Sequence, residues 1–299
     1  MNQPNLSRER ASSLVAVFWL IAVLGLVVFG ATRFVSVDAK WITSLRTQAQ
    51  ARSLAETGIA FASHPDIEPG DPLLTRMSLG GDVGYRVEVS TEEGLIPIND
   101  VLLGGQKPML SRLFQSWGLD PSSSAALIDA MVDWVDEDDL ISLNGAEADA
   151  YAAAGLAGFP ANKPFESLDE IAQVREMARL IALRPDWQSA FTIWSDGTLD
   201  LNEANPEIAA AVLGVPLERA QAIHGRRIGE DGLKNTADDL PFRSVTEALA
   251  AYGLPASVDR GFTVAGSTRR IISRGTFHGT EVTLVETRRA EGLLWRREF

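Results

Sequence analysis

The chain has 299 residues, no cysteine and a formal net charge of −13. The length allows a membrane segment plus one or two domains. The charge argues against a phosphate-binding surface, which needs clustered Lys and Arg. The lack of cysteine excludes disulfides, thiolate zinc sites and a Cys nucleophile.

Ala11 to Thr32 is a run of 22 residues without a charge, preceded by Arg8, Glu9 and Arg10 and followed by Arg33. Such a run is long enough to cross a bilayer as a helix. The two Arg of the short N-terminal segment keep that end cytoplasmic and leave the acidic bulk outside. An alternative is a cleaved secretory signal, with Gly30-Ala31-Thr32 as its small-residue site. The residues that follow argue against it. From Arg33 to Ala62 there is no Pro and one Gly, Gly58. Phe34, Val37, Trp41, Leu45, Ala49, Ala55, Ile59 and Ala62 recur at helical steps, opposite Asp38, Lys40, Arg46, Gln48, Gln50 and Glu56. One continuous helix over Ser12–Ala62 is expected, about 75 Å long at about 1.5 Å per residue.

The segments RERASSLVAVFWLIAVLGL and AQARSLAETGIAFA resemble the start of the K-type minor pseudopilins of type II secretion systems, a pilin-like family. The resemblance implies cleavage between Ala11 and Ser12 by a prepilin peptidase and N-methylation of Ser12. Trp19 then takes the eighth mature position. Ala11 departs from the usual Gly. Ala16 stands at the fifth position, where other pilins carry Glu. A buried carboxylate in a helix bundle needs a partner; a subunit without it needs no subunit above, which fits the tip of a filament. The implied partners are the I-type and J-type minor pseudopilins, the major pseudopilin and the prepilin peptidase. The inner membrane is implied too, with the outer-membrane secretin and exported substrates as further candidates. Ala16, Phe34, Trp41 and Leu45 are the candidate contact residues.

After the stalk, HPDIEPGDP reads as a loop. Tyr85–Ser90 alternates as a half-buried strand, Thr91-Glu92-Glu93-Gly94 turns it, and Leu95–Asn99 pairs briefly, with Pro97 limiting it to an edge or terminus. From Asp100 to about Pro255 the patterning is helical and two stretches look alike. Asn99 and Asn202 each precede helical residues; Gly118-Leu119 and Gly214-Val215 each sit between two short helices. Phe165 and Phe242 are each followed by Ser167 or Ser244 as N-cap. This resembles helix-hairpin-helix geometry, but the turns carry no Lys and the region is acidic, so packing is expected rather than DNA binding. The family resemblance agrees, implying a large helical domain inserted in a pilin-like αβ-domain, too bulky for the shaft of a tight filament.

Asp136, Asp138, Asp139 and Glu147 form one carboxylate cluster; Asp231, Asn235, Asp238 and Asp239 form another. Hard oxygen clusters suit calcium, although neither has the EF-hand pattern, and a solvated acidic surface is the alternative. The resemblance favours structural calcium at the first. His64, His224 and His278 have no ligand spacing, and no nucleophile, phosphate loop or dinucleotide motif is present, so an enzyme is not expected. The C-terminal stretches RRIIS, TEVTLVET and LLWRREF read as strands broken by Gly275, Gly279 and Glu291-Gly292.

The expected fold is α+β: a pilin-like long N-terminal helix on a small antiparallel sheet, with a large inserted all-α domain of helix-hairpin-helix-like repeats. The divisions are a leader over 1–11, the transmembrane and assembly helix over 12–62, and the first part of the αβ-domain over 63–99. The insert follows over 100–260 and the closing strands over 261–299. The expected role is a minor pseudopilin at the tip of the periplasmic pseudopilus, single-pass in the inner membrane, initiating or capping assembly in protein export. The rivals are a periplasmic binding domain on an uncleaved anchor and, less favoured by charge, a competence-type DNA receptor.

Overall fold

The structure, a computed structural model, describes the backbone of residues 6–258 and 261–299 and the side chains of 15–29, 41–257 and 261–299. Helix α1 (Leu6–Ala62) has 57 residues and spans about 85 Å at about 1.5 Å per residue. It begins before the expected Ser12, since nothing between Leu6 and Ala11 breaks a helix. Strands β1 (Thr75–Met77) and β2 (Val83–Thr91) follow. Then come β3 (Ile96–Pro97) and helices α2 (Ile98–Leu103), α3 (Lys107–Ser116), α4 (Pro121–Val135), α5 (Ala148–Ala153), α6 (Leu168–Ile171) and α7 (Met177–Leu183). Two short strands, β4 (Phe191–Thr192) and β5 (Leu199–Asp200), precede helices α8 (Pro206–Leu213), α9 (Leu217–Arg227) and α10 (Val245–Ala251). The chain closes with β6 (Phe262–Thr263), β7 (Arg269–Phe277), β8 (Thr280–Arg289) and β9 (Gly292–Glu298).

The main sheet has the order β1-β2-β7-β8-β9, antiparallel throughout. Its inner face carries Tyr85, Val87 and Val89 from β2, Ile271 from β7 and Val282 and Leu284 from β8, all buried, as the period-2 alternation predicts. The lower half of α1 covers this face with Ala51, Ala55, Ile59 and Ala62. The expected stripe holds at Ala55, Ile59 and Ala62 but not at Ala49, which is exposed while Ala51 is buried. Small residues let the helix settle close. A Cβ on Gly58 would lie 2.3 Å from Ser273 Oγ, and one on Gly275 would lie 2.0 Å from the Ala51 carbonyl oxygen. Gly275 thus does not break a strand, as its sequence position suggests. It lies inside β7 because the helix backbone rests on it. Gly279 does mark a turn, with His278 and Gly279 both at positive φ in the two-residue β7–β8 hairpin.

A second core lies among the helices around Phe114, Leu110, Met131, Trp134 and Phe191. Trp134 packs against Phe159 at 5.0 Å, Tyr151 at 5.5 Å and Phe165 at 6.0 Å between centroids. Hairpins α3–α4 and α8–α9 turn at Gly118 and Gly214, both at positive φ. Arg112 of α3 donates to the Ala211 carbonyl at 2.8 Å, which satisfies an end carbonyl of α8. Asp120, Asn205 and Ser244 cap α4, α8 and α10 through their side chains. Ser167 occupies the cap position of α6, but its hydroxyl makes no capping bond.

Two asparagines clamp this core. Asn99, which lies inside α2 rather than before it, accepts from Phe165 N at 2.9 Å and donates to Phe165 O at 3.0 Å. Asn202 accepts from Phe242 N at 2.9 Å and donates to Phe242 O at 2.9 Å. Each follows a two-residue strand with a parallel partner: β3 pairs with β4 and β5 with β6. The Leu95–Asn99 stretch thus pairs only briefly, with Pro97 at the terminus of β3, as expected. Ile96 is fully buried in the helical core, and Pro97 is tolerated because this ladder is only two residues long.

Candidate functional site

Two features carry the functional argument: the uncovered part of α1 and the carboxylates at the end of α4. Among the described residues no helix is long and apolar enough to cross a membrane. The described apolar run Val15–Phe29 is exposed along its length, with Trp19 at 66 %. Ala16 is exposed in the same run. The sheet covers α1 only from about Ala51 onward. Above it Trp41, Ile42 and Leu45 are 57 %, 51 % and 53 % exposed. Large apolar side chains grouped on one stretch of helix mark an interaction surface. Ala11, Ser12 and Phe34, the expected cleavage, methylation and contact positions, have side chains outside the described residues.

The acidic cluster is built from α4. Asp129 and Asp133 stand four residues apart and so share one face. Asp129 accepts from Lys107 Nζ at 2.7 Å, Asn144 N at 3.2 Å and Asn144 Nδ2 at 3.0 Å. Asp133 is fully buried and accepts from Ser142 N through both oxygens, at 3.1 and 3.2 Å. A Cβ on Gly145 would lie 1.9 Å from Asp133 Oδ2, so only glycine lets the loop close over this carboxylate. Together these bonds fold the 136–147 loop back along α4.

That loop carries Glu147 into the same place. Glu147 is 5 % exposed and neither carboxylate oxygen has a hydrogen-bond partner; Asp136 Oδ1 is also buried and unpaired. Burial, followed by the charges of Asp133, Asp136, Asp139 and Asp138, pushes the Glu147 carboxyl up to about 7. Burial, then Asp138 and Asp133, raises Asp136 as well. Asp138 and Asp139 sit at the exposed rim. Asp138 accepts from Leu140 N at 2.8 Å and Asp139 from Asn162 Nδ2 at 3.0 Å. Among the described residues no three acidic or histidine side chains converge to hold a metal ion. The unpaired hard oxygens of Glu147 and Asp136 are nevertheless of the type that calcium takes.

The second cluster is closed on itself. Asp238 Oδ2 accepts from Glu230 N at 2.7 Å and Asp231 N at 3.3 Å, and Oδ1 from Thr236 Oγ1 at 2.7 Å. Asp239 accepts from Asn235 N at 2.6 Å and Asp231 from Leu233 N at 2.8 Å. The Thr236 hydroxyl and then the Asp231 and Glu230 amides hold Asp238 below its ordinary pKa. Asp231, Asn235, Asp238 and Asp239 therefore share a loop in which backbone donors already serve the carboxylates. Asp133 opens the acidic run that the sequence singles out, whereas Asp129, one turn earlier on α4, was missed as its co-organiser. The signal was two Asp at helical spacing on an otherwise apolar face.

The fold is a long helix on an antiparallel sheet with a separate helical core, and the upper part of that helix is uncovered. Residues 102–185 match the family model described as Type II secretion system (T2SS), protein K. The whole chain resembles one chain of the crystal structure of the GspK-GspI-GspJ complex from the enterotoxigenic Escherichia coli Type 2 Secretion System. That match has a TM-score of 0.58 and 15 % identity over 89 % of this chain and 99 % of that one. No curated protein sequence matches the chain. Residues 102–185 are thus similar to the protein K family of type II secretion systems, and the fold is similar to that of one chain of this complex.

Proposed function

We propose that the chain is the tip subunit of a type II secretion pseudopilus. It is anchored by the apolar part of α1 as a single pass in the inner membrane, with its N-terminus cytoplasmic and its bulk periplasmic. It initiates or caps the filament that supports protein export across the outer membrane, and it carries out no catalysis. The observation that carries this reading is the uncovered stretch of α1 at Trp41, Ile42 and Leu45. The sheet's cover ends below it, so this face is free for neighbouring stalks. Ala16, in place of an acid, adds that no subunit need sit above.

The partners in this reading are I-type and J-type minor pseudopilins, the major pseudopilin and the prepilin peptidase, with the secretin or exported substrates at the far end. The GspI and GspJ chains of the similar complex support the first two. The paired clamps, Asn99 on Phe165 and Asn202 on Phe242, support reading the pilin-like protein's helical insert as an internal repeat. Calcium is proposed as a structural ion held by Glu147 and Asp136, with Asp138 and Asp139 at the rim. The Asp231–Asp239 loop has less need of one.

Mass measurement of the mature protein, in cells with and without prepilin peptidase, tests the anchor. Loss of residues 1–11 and a methyl on Ser12 are expected only with the peptidase. An intact N-terminus in both would favour the uncleaved-anchor reading. Trp41→Asp should abolish co-purification with I-type and J-type partners while the soluble portion stays folded. Unchanged recovery would remove Trp41 from the interface.

A further inference from the structure

A cavity of about 490 Å³ opens between the C-terminal half of α9, the 239–243 loop and α10. Its size falls within the usual range of about 300–1,000 Å³ for small-ligand sites. Arg226, Arg227 and Arg243 line it, together with Asp239 and Glu247.

The acids and the arginines are not paired with each other. Glu247 accepts from Arg243 N at 2.8 Å, and Asp239 accepts from Asn235 N at 2.6 Å. Both carboxylates thus serve backbone donors. Among the described residues, no carboxylate oxygen lies within 4.0 Å of any of the three guanidiniums. Arg227 is only 8 % exposed, and its side-chain bond is to His224 Nδ1 at 3.0 Å. His224 is held below its ordinary pKa, by burial first and then by Arg227 and Lys234, so it remains a neutral acceptor. Burial lowers the Arg227 guanidinium from its ordinary value, and the charges of Glu203, Asp200 and Asp239 nearby only partly offset this, so an anion in the cavity would be favoured. In a chain of net charge −13, three unpaired arginines facing one cavity are a local reversal of sign.

Leu240 and Phe242 form apolar walls beside this cationic rim. Arginine forks match carboxylate oxygens in geometry, while the walls accept an apolar body. We propose that the cavity is a binding site for a carboxylate borne on an apolar group, the chemistry found at the chain-terminal residue of a peptide.

The test is isothermal titration of the full chain in detergent with N-acetylphenylalanine, N-acetylphenylalanine amide and inorganic phosphate. The acid is expected to bind at least tenfold more tightly than the amide and than phosphate. Arg226→Gln and Arg243→Gln, both at exposed positions and so without effect on folding, should each weaken the acid tenfold or more. Arg227→Gln should abolish binding where it folds. Acid and amide binding alike, or neither binding, overturns the proposal. So does phosphate bound as tightly as the acid, or an affinity unchanged in both exposed variants.

Discussion

Glu147→Gln should stabilise the metal-free protein above neutral pH. The Glu147 carboxyl lies at about 7 against an ordinary 4.5. Between these values the folded chain holds a proton that the unfolded chain has released. Stability therefore falls as pH rises through the window, and the full penalty stands above pH 7. Each pH unit separating the folded and unfolded values costs about 1.4 kcal/mol, so the penalty is about 3 kcal/mol. The neutral amide of Gln stays buried without partners, as the protonated acid does, so the two forms should match near pH 4. For a folded unit of this size about 3 kcal/mol corresponds to roughly 6–12 °C in melting temperature. Differential scanning calorimetry of the full chain in calcium-free buffer, from pH 4 to 8, reads the difference directly. Added calcium should then raise the parent's melting temperature at pH 8 and leave the Gln variant unmoved. A parent whose stability is flat across pH 4.5–7, or a variant no more stable at pH 8, would refute the reasoning.

Gly275→Val places side-chain atoms where the backbone of α1 already lies, with even a Cβ 2.4 Å from Ala55 N. Overpacking of this kind costs about 1–3 kcal/mol or more, and limited proteolysis should show the stalk released from the sheet. Asn202→Ala leaves the Phe242 amide and carbonyl without their clamp. A loss of about 1–3 kcal/mol is expected, read as a lower urea midpoint for the helical core, and Asn99→Ala should act alike at Phe165. Asp120→Ala removes the cap of α4. The Ser122 and Ser123 hydroxyls and amides hold Asp120 well below the usual carboxylate range. The cap's contribution is therefore present above the ordinary 3.8 and lost as pH falls below it. Parent and variant should thus differ in thermal stability at pH 7 and converge in strong acid.

The elements whose burial follows a period were legible. Tyr85, Val87 and Val89 alternate into the core, and so do Val282 and Leu284. The burial of Ala51 in place of Ala49 on α1 has a simple cause. Ala49, Ala51, Ala55, Ala60 and Ala62 are all small, so composition cannot say which of them face the sheet; contact with Tyr85, Val87 and Gly275 decides it. Gly275 reads as a breaker because a linear pattern gives no view of a helix resting on a strand. At the acidic cluster the exposed carboxylates drew attention as a run. Of the organising pair, Asp133 opens that run, but Asp129 was hidden in an apolar helix, and the isolation of Glu147 depends on a loop closure that Gly145 permits. Pairing of Ile96 with Phe191 and of Leu199 with Phe262 joins residues far apart in sequence, where neither propensity nor spacing carries a signal.

The arrangement also explains how one chain can carry both a stalk and a bulky insert. The two cores have no residue in common. The chain leaves β2 at Thr91 and returns on β7 at Arg269, and these two residues are partners in the sheet. Insertion between adjacent points leaves the strand register untouched, so the size of the insert adds little strain to the sheet. Glu92 and Glu93, in the expected turn, are buried at this junction. Glu93 accepts from Thr268 N at 3.1 Å and Glu92 from Thr287 Oγ1 at 2.7 Å, which fixes the direction in which the insert departs. The basic C-terminal strand then divides its charges. Arg296 reaches Glu56 of the stalk at 3.0 Å, while Arg297 reaches Asp169 of the insert at 3.2 Å. Adjacent residues of one strand thus reach the stalk on one side and the insert on the other.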